Sequence, residues 1–118
     1  MKRKAIIISI SGKSLTKKEK NLLKTEKPWG LILFKRNIIN FDQTRSLIKS
    51  IRKTVNDKNF PILVDEEGGS VCRLSAFLDN RVYSQKFFGN LFESNKSLAN
   101  SLYRNYISSI CSVLKVLG

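Results

Sequence analysis

Apolar residues fall in two patterns along this chain. In three places they run almost unbroken: "AIIISI" at 5–10, "GLILF" at 30–34 and "ILV" at 62–64. Continuous runs of this length, β-branched above all in the first, suit strands buried on both faces. Between them, apolar positions recur every third or fourth residue, as on one face of a helix. Thr16 and Glu19 have the T-x-x-E spacing of a capping box, which predicts a helix start. That helix runs to about Lys27, with Leu22 and Leu23 facing inward, and Pro28 stops it. A second helix is expected over about 42–55, capped by Asn40 or Asp42, with Leu47, Ile48, Ile51 and Val55 on one face. After the third strand comes a long irregular stretch, 68–84, then a short helix around 85–92. The last helix, about 95–117, carries Leu98, Leu102, Tyr106, Ile107, Ile110, Leu114 and Leu117 on one side, and Gly118 is a natural stop.

The resulting order is β-α-β-α-β-loop-α. Strands that alternate with amphipathic helices imply an α/β protein with parallel strands and right-handed crossovers. Three such strands form a narrow sheet with both edges open to pairing. Two architectures fit: a small open α/β domain, or the first part of a (β/α)₈ barrel, which needs about 200–250 residues.

Composition and local motifs narrow this picture further. At 118 residues the chain holds one domain at most, and its 42% hydrophobic and 26% charged residues are ordinary for a globular protein. No apolar run is long enough for a transmembrane helix. "MKRKAIIISISG" has the basic start of a signal peptide, but "KSLTKKEK" stands where a cleavage site belongs, so a first strand is the better reading. Cys72 and Cys111 make neither a disulfide framework nor a metal pattern, which points to a reducing cytoplasm. The excess of 22 Lys and Arg over nine Asp and Glu, +13 overall, could serve nucleic acid. The basic residues are spread from 2 to 115, however, which fits a solvated surface better, and Phe34-Lys35-Arg36 and Tyr103-Arg104 are thin as a stacking signature. "SGKS" at 11–14 has Ile7 where a phosphate loop needs glycine. There is no histidine, so a mechanism that needs imidazole cannot be run by this chain alone.

The chemistry concentrates in "ILVDEEGGSVCRL" at 62–74. Three of the nine acids crowd the end of the third strand, and in parallel α/β folds that end is the functional face. Alternation would send Asp65 and Glu67 one way and Glu66 the other. A carboxylate accepts hydrogen bonds from two neighbouring hydroxyls. Arg73 can fix a carboxylate or donate to a polar ligand. Gly68 and Gly69 let the backbone turn and a ligand approach. The set suits a polyhydroxylated ligand such as a sugar. A tight turn with an Arg73 salt bridge explains the same residues without a ligand, and a magnesium site is a weaker third option.

"GLILFKRNI" followed by "PILVDEEGGSVCRL" resembles the N-terminal part of family 3 glycoside hydrolases, most of all bacterial β-N-acetylhexosaminidases acting on cell-wall-derived sugars. The shared pattern is a strand followed by Asp-x-Glu-Gly-Gly-x-Val-x-Arg, met here by Asp65, Glu67, Gly68, Gly69, Val71 and Arg73. The departures are Glu66, where that group more often has histidine or glutamine, and Cys72, often a glutamine. The resemblance implies that residues 1–118 are an N-terminal fragment of the barrel domain, with about its first three βα units. It implies that Asp65 and Arg73 bind a terminal N-acetylglucosamine, with Glu67, Gly68 and Gly69 as supporting loop. It implies no metal and no cofactor. The family's acid/base histidine and its aspartate nucleophile would lie beyond this chain, so no catalytic residue is assigned here and the chain alone should be inactive. A sugar-binding remnant without chemistry is the alternative. Exposed barrel edges should favour self-association.

Overall fold

In the computed structural model, which describes residues 2–118, the first apolar run forms β1 (Lys4–Ile8). Then follow α1 (Lys17–Glu26), β2 (Pro28–Leu33), a 3-10 turn at Lys35–Asn37, α2 (Phe41–Val55) and β3 (Ile62–Val64). These elements make one compact unit that ends at Asp65; Glu66–Gly118 make a second, with α3 (Gln85–Ser94) and α4 (Lys96–Leu117).

In the first unit the sheet is parallel throughout, in the order β1-β2-β3. Ile8 pairs with Leu31, and Leu31 with Ile62. The capping box forms as expected: the Thr16 side chain accepts from the Glu19 N–H, and Glu19 reaches back to the Thr16 N–H. Lys27 closes α1 in the left-handed conformation, with φ of 48°, so that Pro28 opens β2 rather than merely ending a helix. Asn40, not Asp42, caps α2, accepting from the Gln43 N–H. Leu23, Leu31, Leu47, Ile48, Ile51 and Phe60 are buried in the core of this unit.

Two sequence expectations for this unit need correction. Leu22 lies outward at 42% exposure while Leu23 is buried at 1%, because residues one apart on a helix point about 100° apart. β1 is not a buried strand: Lys4 to Ile7 are all exposed, Ile6 and Ile7 at 51% and 44%. It is one edge of the sheet, with β2 as its single strand neighbour, and its apolar side chains are left largely uncovered.

In the second unit, the irregular stretch 68–84 is turns and one isolated antiparallel bridge, Gly68 to Val71. Ser84 caps α3 by accepting from the Phe87 N–H, and Asn95 caps α4 by accepting from the Leu98 N–H. Gly118 ends α4 with φ of 133° and its N–H on the Leu114 carbonyl. Ala99, Tyr106, Ile110 and Leu117 are the buried stripe of α4. Leu98 and Ile107, expected inward, are 51% and 38% exposed; the apolar stripe is broader than the face that α4 covers. Among the described residues, no helix is long and apolar enough to cross a membrane.

Candidate functional site

In the first unit, the segments that follow the C-terminal ends of β1 and β2 are tied together by side chains. Asn37, fully buried, accepts from the Phe34 N–H at 2.9 Å. It donates to the carbonyls of Ile10 and Gly12 at 3.1 and 2.7 Å. Arg36 donates to the Ile10 carbonyl and the Ser9 hydroxyl and stacks its guanidinium 4.8 Å from the Phe34 ring. Gln43, on α2, donates to the carbonyls of Lys13 and Asn37. A polar residue beside an apolar run was the available signal for Asn37, and a buried amide must find partners for both its ends.

Glu19 anchors the loop after β1 from below. One carboxylate oxygen accepts from the N–H and hydroxyl of Ser11, the other from the N–H and hydroxyl of Thr16, all at 2.8–2.9 Å. Burial pushes its pKa upward, but these four donors outweigh it and hold the carboxyl at about 2. Asp65 is the last residue of this unit, one position past β3 and partly buried.

The second unit begins with Glu66. Its carboxylate turns back onto its own loop and accepts from the N–H groups of Arg73 and Leu74, both at 2.8 Å. Glu66 is thereby the clasp of the 66–74 loop, a role the sequence reading did not assign. Its departure from the histidine or glutamine of the resembling family was the one sequence signal. Glu67 is exposed, and its N–H donates to the Val71 carbonyl at 3.1 Å. Gly68 and Gly69 take φ of +75° and +61°, where a side chain is strained. At Gly68 space forbids one as well: a Cβ would lie 2.1 Å from the Tyr83 carbonyl oxygen. Asn80 closes the far side, its carbonyl accepting from the N–H of Gly69 and of Tyr83 and its N–H donating to the Cys72 sulfur. Arg73 is partly buried in this loop. Among the described residues, no group of three His, Cys, Asp or Glu side chains could hold a metal ion.

Glu67, Gly68, Gly69 and Arg73 therefore share one ordered loop, while Asp65 ends the strand before it.

Comparison with known proteins supplies a context. No family model matches the sequence. A β-hexosaminidase of Histophilus somni is 40% identical over 82 residues, 70% of this chain and 23% of the relative. The crystal structure of NagZ from Neisseria gonorrhoeae in complex with zinc ion superimposes with a TM-score of 0.72 at 28% identity. It covers 84% of this chain, which in turn covers 29% of it. The NagZ structure in complex with N-trifluoroacetyl-D-glucosamine gives 0.71, also at 28% identity, over 84% of this chain and 28% of that one. The chain thus spans about a quarter of the length of the relatives it matches.

Proposed function

Since the chain is a partial β-N-acetylhexosaminidase-like sequence of glycoside hydrolase family 3, we infer that it forms part of the sugar subsite of an enzyme that cleaves terminal β-N-acetylglucosaminyl bonds. In this reading residues 1–118 are the opening part of the barrel domain, and the three parallel strands are the first of a (β/α)₈ barrel. Asp65, at the mouth end of β3, accepts hydrogen bonds from hydroxyls of the terminal N-acetylglucosamine. Arg73 donates to the same ring, and the Gly68-Gly69 turn leaves the backbone low enough for the sugar to approach. Glu66 keeps that turn in shape. A retaining glycosidase needs a nucleophile and a proton donor on either side of the scissile bond. In this reading neither comes from these 118 residues, which contain no histidine. The setting is the bacterial cytoplasm, on sugars released from the cell wall.

The observation that carries this reading is the Asp65–Arg73 block at the end of a parallel strand, in a chain similar to a protein solved with an N-acylglucosamine analogue. The test is a chimera in which residues 1–118 replace the matching part of the Histophilus somni relative. It should hydrolyse a chromogenic N-acetyl-β-glucosaminide, and residues 1–118 alone should not. A folded chimera without turnover, or one that keeps full activity as Asp65→Ala, would overturn it.

A further inference from the structure

Within the second unit, a pocket of about 340 Å³ opens between the 66–84 loop and α3 and α4. Four aromatic rings line it: Tyr83, Phe88, Tyr103 and Tyr106. Tyr83 and Phe88 are stacked, with centroids 6.0 Å apart, and Tyr106 stands 5.2 Å from Tyr83 and 5.4 Å from Phe88. Tyr103 meets Phe88 edge-on at 4.9 Å. The volume falls within the roughly 300–1,000 Å³ of small-molecule sites.

The charge of this pocket runs against that of the chain. Lysine and arginine number 22 against nine acids, yet no lysine or arginine lines the pocket, and Glu66 and Glu67 both do. One oxygen of Glu66 is spent on the Arg73 and Leu74 N–H groups, while the other, Oε1, is buried without a hydrogen-bond partner. The hydroxyl of Tyr106, a residue only 9% exposed, is buried without one too. Burial and the nearby Glu66 carboxylate both push the Tyr106 phenol above its usual range. Aromatic faces carry partial negative charge. A carboxylate with one oxygen unpaired adds a field that no cation among the lining residues offsets. A cation on the rings would supply that offset, and a neutral guest of the same size would not.

We propose that this ring-walled pocket binds a small organic ammonium ion, held over the aromatic faces by cation–π attraction and by the field of Glu66, with Glu67 at the rim. The site is independent of the Asp65–Arg73 reading, since it uses neither residue.

The experiment is a proton NMR titration of the full chain with n-butylammonium, followed at the tyrosine ring resonances, with n-butanol as the neutral guest of like shape. Saturable shifts are expected for butylammonium, with affinity about tenfold above that for butanol. Glu66→Gln keeps an acceptor for the loop amides but removes the charge, and should cost about tenfold in ammonium affinity while leaving butanol unchanged. Should that variant fail to fold, Tyr103→Leu decides. Its ring is 49% exposed, so the change removes a π-face from the pocket without emptying the core, and ammonium affinity should drop severalfold. Equal binding of butanol and butylammonium, no saturable shift, or undiminished ammonium binding in the Tyr103→Leu variant would overturn the proposal.

Discussion

Gly68 shows how one residue constrains the loop beside the candidate site. Its φ of +75° suits glycine, and a methyl group there would meet the Tyr83 carbonyl oxygen at 2.1 Å. Both the backbone strain and the overlap must be relieved, so Gly68→Ala should destabilise the second unit by about 2 kcal/mol or more. Gly69, with its would-be Cβ 3.0 Å from the Ser84 Cβ, should cost less. Urea titrations of the two variants followed by tyrosine fluorescence measure the difference; equal midpoints would mean that the loop yields freely. Asp65 makes the opposite case. It lies at a strand end and is partly exposed, so Asp65→Ala should leave the fold largely intact. In the active chimera it should lower kcat/KM by about a hundredfold, the loss expected for hydrogen bonds to a charged acceptor. Arg73→Ala should lose less, because other hydroxyl contacts remain. Unfolding of Asp65→Ala would make that residue structural.

Among the elements, α1 depends on its N-terminus more than its apolar face would suggest. A single buried residue, Leu23, joins it to the core, and the Thr16–Glu19 box with its Ser11 contacts holds the start. Glu19 has its carboxyl pKa lowered from 4.5 to about 2 in the folded chain. A carboxylate with a depressed folded pKa contributes stability that is present above the unfolded value and lost as pH falls through the folded one. The wild type should therefore lose stability relative to Glu19→Gln between about pH 4.5 and pH 2. Urea midpoints for both chains at pH 5.5 and pH 2.5 give the comparison, and parallel losses would remove Glu19 from the account. Thr16→Ala, which deletes the other half of the box, should cost about 1 kcal/mol at neutral pH.

For the chain as a whole, two forces oppose each other. The net charge of +13 keeps molecules apart at low salt. Against it stand the uncovered β1 edge and the apolar side chains near it: Ile6, Ile7 and Trp29 are 51%, 44% and 47% exposed. An open parallel edge with exposed isoleucines is a template for pairing. Residues 1–118 should therefore self-associate, and increasingly as salt screens the charge. Light scattering after size exclusion at 50 mM and 500 mM sodium chloride, with dye binding to report apolar surface, is the measurement. A sharp monomer without dye binding at both salts would mean that the exposed strand is tolerated in isolation.

Local signals accounted for most of the architecture. The capping box at Thr16, the turn glycines and the three apolar runs each act within a few residues, so the order of strands and helices and the parallel sheet were legible without coordinates. The Asp65–Arg73 block stands out in the sequence by residue types and spacing, and its role in sugar binding remains a proposal for the chimera to test. Three features lay outside such local rules. β1 reads as a buried strand since its side chains are apolar, but burial depends on neighbours that arrive from elsewhere, and at a sheet edge they are missing. Asn37 and Glu66 became ties only when folding set backbone groups around them: Ile10 and Gly12 for one, Arg73 and Leu74 for the other. The ring-walled pocket needs Tyr83, Phe88, Tyr103 and Tyr106 on one lining, and no periodicity in a single helix announces that. Propensity, capping and turn chemistry are written in short stretches of chain; solvent exclusion and the pairing of buried polar atoms belong to surfaces that meet only in three dimensions.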